Sequence, residues 1–351
     1  MLHTAELKEG SAARTRGDGA ASARIGPGYL LAVGAGLLGA LGAFCLFLLG
    51  LNVTDNLPPP AFSNNLCVDE KLNFLRANPI RSPNLLVIGS SVAWRHVDGD
   101  ALTQAMPELR PMNGAFCGLF ANQSTYVGQW LLDREPGIRS VVMIADPQDF
   151  AGCWRVPTAV FNREHVDPYV YGDASPWGYY MRYFAPQSLA RNALTVKAQR
   201  AGQIEWDPLV FNRHGDGPLV TDNTRELLYG RPEALDRNCF AALRQLRERL
   251  EQSGQQLMVV STPLHPEWKE RYDPDGTFMA DFDQRIQASL GDHGTYWNAD
   301  KDWRTPDNAF VDAVHLRWSA AQHFTLALAE QMRRAATGPA APNGLETAGL
   351  E

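Results

Sequence analysis

The chain has 351 residues, 45% of them hydrophobic and 20% charged, and a formal net charge of -7. This is ordinary globular composition, enough for one large domain or two small ones. The acidic balance argues against a nucleic-acid partner, which calls for a basic surface. No GxxxxGK[ST] phosphate loop supports nucleotide hydrolysis.

In chain order, residues 1–27 are a polar tail carrying Lys8, Arg14, Arg16 and Arg24. From Gly28 to Leu51 no charge occurs, a length that spans a bilayer core of ~30 Å at ~1.5 Å per residue. The apolar region of a signal peptide is shorter, ~7–15 residues, and no small-x-small cleavage pattern follows, so an uncleaved transmembrane anchor is expected. Basic residues before this segment and Asp55 and Asp69 after it put the N-terminus in the cytoplasm and the rest outside. Residues 52–65 contain Pro58, Pro59 and Pro60 and read as a stiff linker.

Over 66–337, strand-like apolar runs at 84–88, 108–112, 139–145, 256–261 and 295–298 alternate with helical patterns. The clearest helix runs from Pro232 to Ser253, with Leu235, Cys239, Leu243, Leu246 and Leu250 on one face, Pro232 in its first turn and Gly254 closing it. A last helix is expected from about Ser319 to Ala336, opened by a Ser319–Gln322 capping box. Strands too apolar for a solvated face, alternating with helices, imply an α/β three-layer sandwich around a mainly parallel five-stranded sheet. Residues 150–231 break the alternation with many aromatics among Pro, Gly and Asp, including Trp154, Tyr169, Tyr179, Tyr183 and Trp206. An insert of this length is a lid or binding surface, or a small subdomain whose aromatics form its own core. Residues 338–351 read as a disordered tail.

Cys45 lies in the anchor, whereas Cys67, Cys117, Cys153 and Cys239 lie beyond it, where disulfides are allowed. Four cysteines permit three pairings. Cys239, on the apolar face of its helix, reads as a buried free thiol.

In a parallel α/β sheet, ligands collect where strands end and helices begin. Gly89-Ser90-Ser91 stands at such a place. A serine there can simply cap a helix; as a nucleophile it needs a base, itself oriented by a carboxylate. Asp312 and His315, three apart before the last helix, supply that pair. No HExxH or paired-cysteine pattern calls for a metal, and no cofactor is expected.

The order Gly-x-Ser early and Asp-x-x-His late resembles the SGNH (GDSL-like) hydrolases. Their Gly-Asp-Ser block matches Gly89-Ser90-Ser91, which makes Ser91 the nucleophile. Their second block, an Asn with a Gly five residues later, matches Asn113 and Gly118. Their third, Gly-x-Asn-Asp, is replaced by "IADPQDF", where Gln148 stands in the place of the oxyanion Asn if Asp149 matches the family Asp. With the N-terminal anchor and the Pro-Gln strand end, the chain also looks like the D-alanyl transfer protein of teichoic acid modification and the membrane-anchored O-acetyltransferases of exopolysaccharides and peptidoglycan. The resemblance covers roughly residues 80–150 and 255–335. It implies catalysis by Ser91, Asp312 and His315, with an oxyanion hole from Ser91, Gly118 and Gln148. It also implies an acyl donor, a glycan acceptor, a membrane-bound O-acyltransferase partner and a place in the bacterial cell membrane with the domain periplasmic. If blocks two and three are neighbouring loops, as in that family, Cys117 and Cys153 could pair. The altered third block leaves open a catalytically silent scaffold or carbohydrate-binding subunit of the same machinery.

Overall fold

Five apolar runs become the strands of one sheet in the computed structural model, which describes residues 26–337 except 64, 233 and 307. They are β1 (Leu85–Ile88), β2 (Pro111–Asn113), β3 (Ser140–Ala145), β4 (Gln256–Ser261) and β5 (Thr295–Asn298). All neighbours are parallel, in the order β2-β1-β3-β4-β5. β1 is buried along its whole length and β3 at Val141–Ala145. Each such Val, Leu or Ile contributes about 1.5–3 kcal/mol of burial, provided that helices cover both faces. They do: Ala121–Arg134, Arg237–Gln252 and Thr277–Leu290 pack together on one side, and Ser91–His96, Gly99–Ala105 and Trp318–Thr337 on the other.

The helix around Cys239 begins later than its apolar spacing suggests. Asp236 is its N-cap, accepting from Asn238 N–H at 2.9 Å, and Pro232 lies in coil ahead of it. A side-chain cap outcompetes a Pro at a first turn because it satisfies an otherwise orphaned donor. Gly254 adopts the left-handed conformation that ends the helix (φ 66°). The last helix starts at Trp318, so Ser319 is already inside it; Gln322 does not complete a capping box but donates to Asp98 Oδ2 at 2.9 Å.

The three prolines of the stiff linker expected over 52–65 pack against the insert. Pro58, Pro59 and Pro60 are buried, and the Pro58 carbonyl accepts from Tyr180 of the insert at 2.6 Å. Phe62 packs its ring against Tyr169, Tyr179 and Tyr183 at 4.7–5.5 Å. The insert itself forms helices Arg163–Val170, Trp177–Arg182 and Pro186–Arg200, the first lying against Leu66–Ala77. Its buried aromatics, Phe161 and Tyr169 among them, join the hydrophobic core of the sheet domain, whereas Trp154, Tyr171, Trp177 and Phe184 stay exposed.

Both expectations about cysteines are overturned. Cys117 bonds Cys67, and Cys239 is no free thiol but bonds Cys153. Sequence spacing missed this because helix Leu66–Ala77, not the loop after β3, lies beside Cys117. Pro27–Val53 is a continuous apolar helix, long enough to cross a membrane; the basic residues that would orient it lie outside the described residues.

Candidate active site

β1 ends at Gly89, whose φ of 143° and surroundings admit no side chain: a Cβ would stand 2.6 Å from Ala93 Cβ and 2.7 Å from the Ile144 carbonyl. This tight turn starts helix Ser91–His96 against β3. Ser90 is the N-cap, its Oγ accepting from Val92 N–H at 3.4 Å. Ser91 is the first helical residue, and its Oγ lies 2.9 Å from His315 Nε2. Ser90 thus caps the helix, and Ser91 is the serine that meets the histidine.

Asp312 and His315 share a tight loop closed by Val311 N–H to His315 O (2.8 Å) and Arg317 N–H to Ala309 O (2.7 Å). Asp312 Oδ1 accepts from the backbone of Val314 and His315, at 3.0 and 2.8 Å. His315 Nδ1 lies 2.9 Å from Asp312 Oδ2. Nδ1–H donating to the carboxylate leaves the Nε2 lone pair for the Ser91 hydroxyl. Burial pushes the Asp312 carboxyl up, but the hydrogen bond and charge of His315, with the two backbone donors, hold it well below the usual carboxylate range.

Three residues around Asp312 and His315, His96 buried and Arg225 and Tyr229 half-buried, carry no sequence signal. Arg225, from the insert, reaches Asp312 Oδ2 at 3.1 Å and Asp207 Oδ2 at 3.0 Å. His96 accepts from Leu316 N–H at 2.9 Å through Nε2 and meets Thr262 Oγ1 at 3.0 Å through Nδ1, tying the His315 loop to the end of β4. Burial holds its imidazole well below the usual histidine range, so it stays neutral. Tyr229 sets its ring against His315, centroids 5.6 Å apart. Each is found only once distant segments meet.

Ser91 and His315 open onto a cleft of about 480 Å³, also lined by Gly118, Gln148, Asp149, Arg95 and Tyr229. Gly118 has φ 70°, and its loop is held to helix Leu66–Ala77 by the Cys67–Cys117 bond and by Asn65 Nδ2 on the Cys117 carbonyl (3.3 Å). Gln148 reaches the cleft, but its side-chain amide donates to the Gly230 carbonyl. Asn113 is not in the cleft: buried, it donates to Ala93 O, Trp94 O and Asp216 Oδ1 and accepts from Ala115 N–H. Its part is to shape the turn before Gly118.

Two carboxyls line the cleft beside Ser90. Burial pushes Asp146 up to about 7, with the charge of Asp312 adding to it. Burial and then the charge of Asp146 push Asp149 well up, against a hydrogen bond from Ser90. Among the described residues, Cys153, Asp236 and Cys239 come close enough to suggest a metal cluster. The two sulfurs are instead bonded to each other, and Asp236 is occupied as a helix cap that also accepts from Trp154 N–H at 2.7 Å.

No protein-family model and no curated protein matches the chain. It is an α/β protein with a five-stranded all-parallel sheet of order 2-1-3-4-5, a long apolar N-terminal helix that fits a membrane anchor or a signal sequence, and two disulfides consistent with an extracytoplasmic domain.

Proposed function

We propose that the chain is a membrane-anchored, extracytoplasmic serine O-acyltransferase or carbohydrate esterase of the SGNH type, acting on a cell-envelope or exported polysaccharide through an acyl-enzyme. The observation that carries this reading is the Ser91–His315–Asp312 relay at the strand ends of a parallel sheet, open to a cleft. His315 Nε2 takes the Ser91 proton as Oγ attacks the acyl carbonyl, and Asp312 steadies the imidazolium. The oxyanion faces the N–H of Ser91, which as a first helical residue has no carbonyl of its own helix to bind, and that of Gly118. Each such donor supplies about 3 kcal/mol in the transition state. The Gln148 amide joins them by turning one N–H from the Gly230 carbonyl, or through its second N–H. His315 then returns the proton to the departing group, and a sugar hydroxyl or water, deprotonated in the same way, releases the acyl group.

A serine-reactive fluorophosphonate is expected to label the purified protein, with the label lost in Ser91→Ala. Surface glycans of cells carrying only Ser91→Ala are then expected to lose acyl groups. Absence of labelling, with unchanged glycan acylation, would hand the chain to the scaffold reading, which the altered third block and the engaged Gln148 amide favour.

A further inference from the structure

The cleft contains a charge that the triad does not use. Arg95 is 2% exposed and lines the cleft. It lies one helical turn after Ser91, on the same face of helix Ser91–His96. Its guanidinium sits over the Trp94 ring, 4.4 Å from the centroid. Its Nη1 has no hydrogen-bond partner, and its Nη2 makes only a long bond to the Pro208 carbonyl, at 3.4 Å.

The charges of Asp207 and Asp312 act on Arg95 from a distance, but neither carboxylate pairs with it directly. Asp207 and Asp312 are both within ion-pair distance of Arg225 instead. A buried cation without a counter-ion is costly, and polar groups left unsatisfied in a cleft mark places where a ligand completes the set. A guanidinium presents a planar fork of donors that matches a carboxylate bidentately.

The structure assigns Arg95 as the anion-recognising group of the cleft: the substrate carries a carboxylate close to the acyl group that Ser91 attacks. The inference deepens the acyl-transfer reading and rests on it for the reaction, though not for binding. Side chains of a helix lean toward its N-terminus, so Arg95 reaches back to the level of Ser91. Asp207, Asp146 and Asp149 also face the cleft; the pairing of Asp207 with Arg225 offsets its charge, and burial favours the neutral form of the other two. The carboxylate has two sources, a uronate unit of the glycan or the free carboxyl of a dicarboxylic acyl group.

Two substrate pairs separate the sources. One sets 4-nitrophenyl acetate against 4-nitrophenyl hemisuccinate; the other sets an O-acetylated uronate tetrasaccharide against an O-acetylated neutral one. The quantity read is the ratio of kcat/KM, anionic over neutral, corrected for uncatalysed hydrolysis; a ratio on one sample cancels any misfolded fraction. In the native protein one pair is expected to show a ratio of about tenfold or more, the scale of a charge-assisted hydrogen bond. Arg95→Gln is expected to bring that ratio to near one, and Arg95→Lys to leave it between. A native ratio near one in both pairs, or a ratio unchanged in Arg95→Gln, overturns the assignment. If no ester is turned over, the acyl-transfer reading fails and calorimetric titration decides Arg95 alone. Binding of the uronate tetrasaccharide or monomethyl succinate that disappears in Arg95→Gln upholds the site, and absence of binding by both in the native protein ends it.

Discussion

At the residue scale, the adjacent serines give the sharpest contrast. Ser91→Ala is expected to abolish fluorophosphonate labelling and to lower ester turnover by about 10⁴-fold or more. It removes a half-buried hydroxyl and leaves the fold intact. Ser90→Ala loses a cap worth about 1 kcal/mol and keeps the label. Asp312→Asn falls between in turnover, since imidazole orientation and tautomer are lost while the nucleophile remains. Labelling rates and thermal melts on all three variants check the order. Asp146 offers a test through pH. Its folded pKa is raised, so the stability attached to it is present below the unfolded value of about 4 and is lost as pH rises through about 7. One carboxylate oxygen accepts from Gln148 N–H at 2.7 Å and the other has no partner. Asp146→Asn keeps the first bond and removes the buried charge. It should stabilise the protein more at pH 8 than at pH 5, by about 2–3 kcal/mol; equal stabilisation at both would show that the carboxyl does not titrate in that window. Asp312 has the opposite sign: its lowered pKa gives stability present above about pH 4 and lost only as pH falls toward its folded value.

At the element scale, two disulfides and one ion pair hold loops that no secondary structure holds. Peptide mapping without reductant is expected to recover Cys67 with Cys117 and Cys153 with Cys239. The chain-entropy model gives each about 4 kcal/mol for closing loops of this length. The two differ in consequence. Cys153–Cys239 ties the segment after β3 to helix Arg237–Gln252, so its double Ser variant should lower the melting point with little change in labelling per folded molecule. Cys67–Cys117 adjoins Gly118, so its double Ser variant should slow labelling as well. Arg225 is the matching case among charges. It links the insert to Asp312, whose side chain is fully enclosed. Arg225→Met leaves that carboxylate with His315 and backbone donors alone, which should cost about 3 kcal/mol of stability, read from denaturant midpoints.

At the scale of the whole molecule, the insert changes the meaning of the architecture. A bare parallel sheet would present Ser91 and His315 on an open rim. Here residues 207–209 and Tyr229 come back from the insert to wall the cleft, while its helices and aromatics pack with Phe62 and helix Leu66–Ala77. Lys71 and Asp216, both buried, fasten the returning segment: Lys71 donates to the Gly215 carbonyl, and Asp216 accepts from Gly99 N–H and from Asn113. If the apolar helix Pro27–Val53 is an uncleaved anchor, the protein should remain in carbonate-washed membranes and yield to detergent. N-terminal sequencing that begins beyond residue 40 would refute the anchor.

The sequence by itself determined the sheet and the pairing of Asp312 with His315. Buried parallel strands need unbroken apolar runs, so four of the five strands match their runs within about a residue, and only Pro111–Asn113 is displaced from its weak run. Asp312 and His315 were legible because their geometry is local, made within one short loop, and Gly89 because no other residue fits its turn. Tertiary structure decided everything that depends on what lies across the cleft. Cysteine partners, the bond of Gln322 to Asp98, the burial of Pro58–Pro60, and the places of Arg95 and Arg225 each join segments far apart in the chain. Such contacts leave no periodicity, because a long-range partner is chosen by the packing of whole elements and not by spacing along the chain.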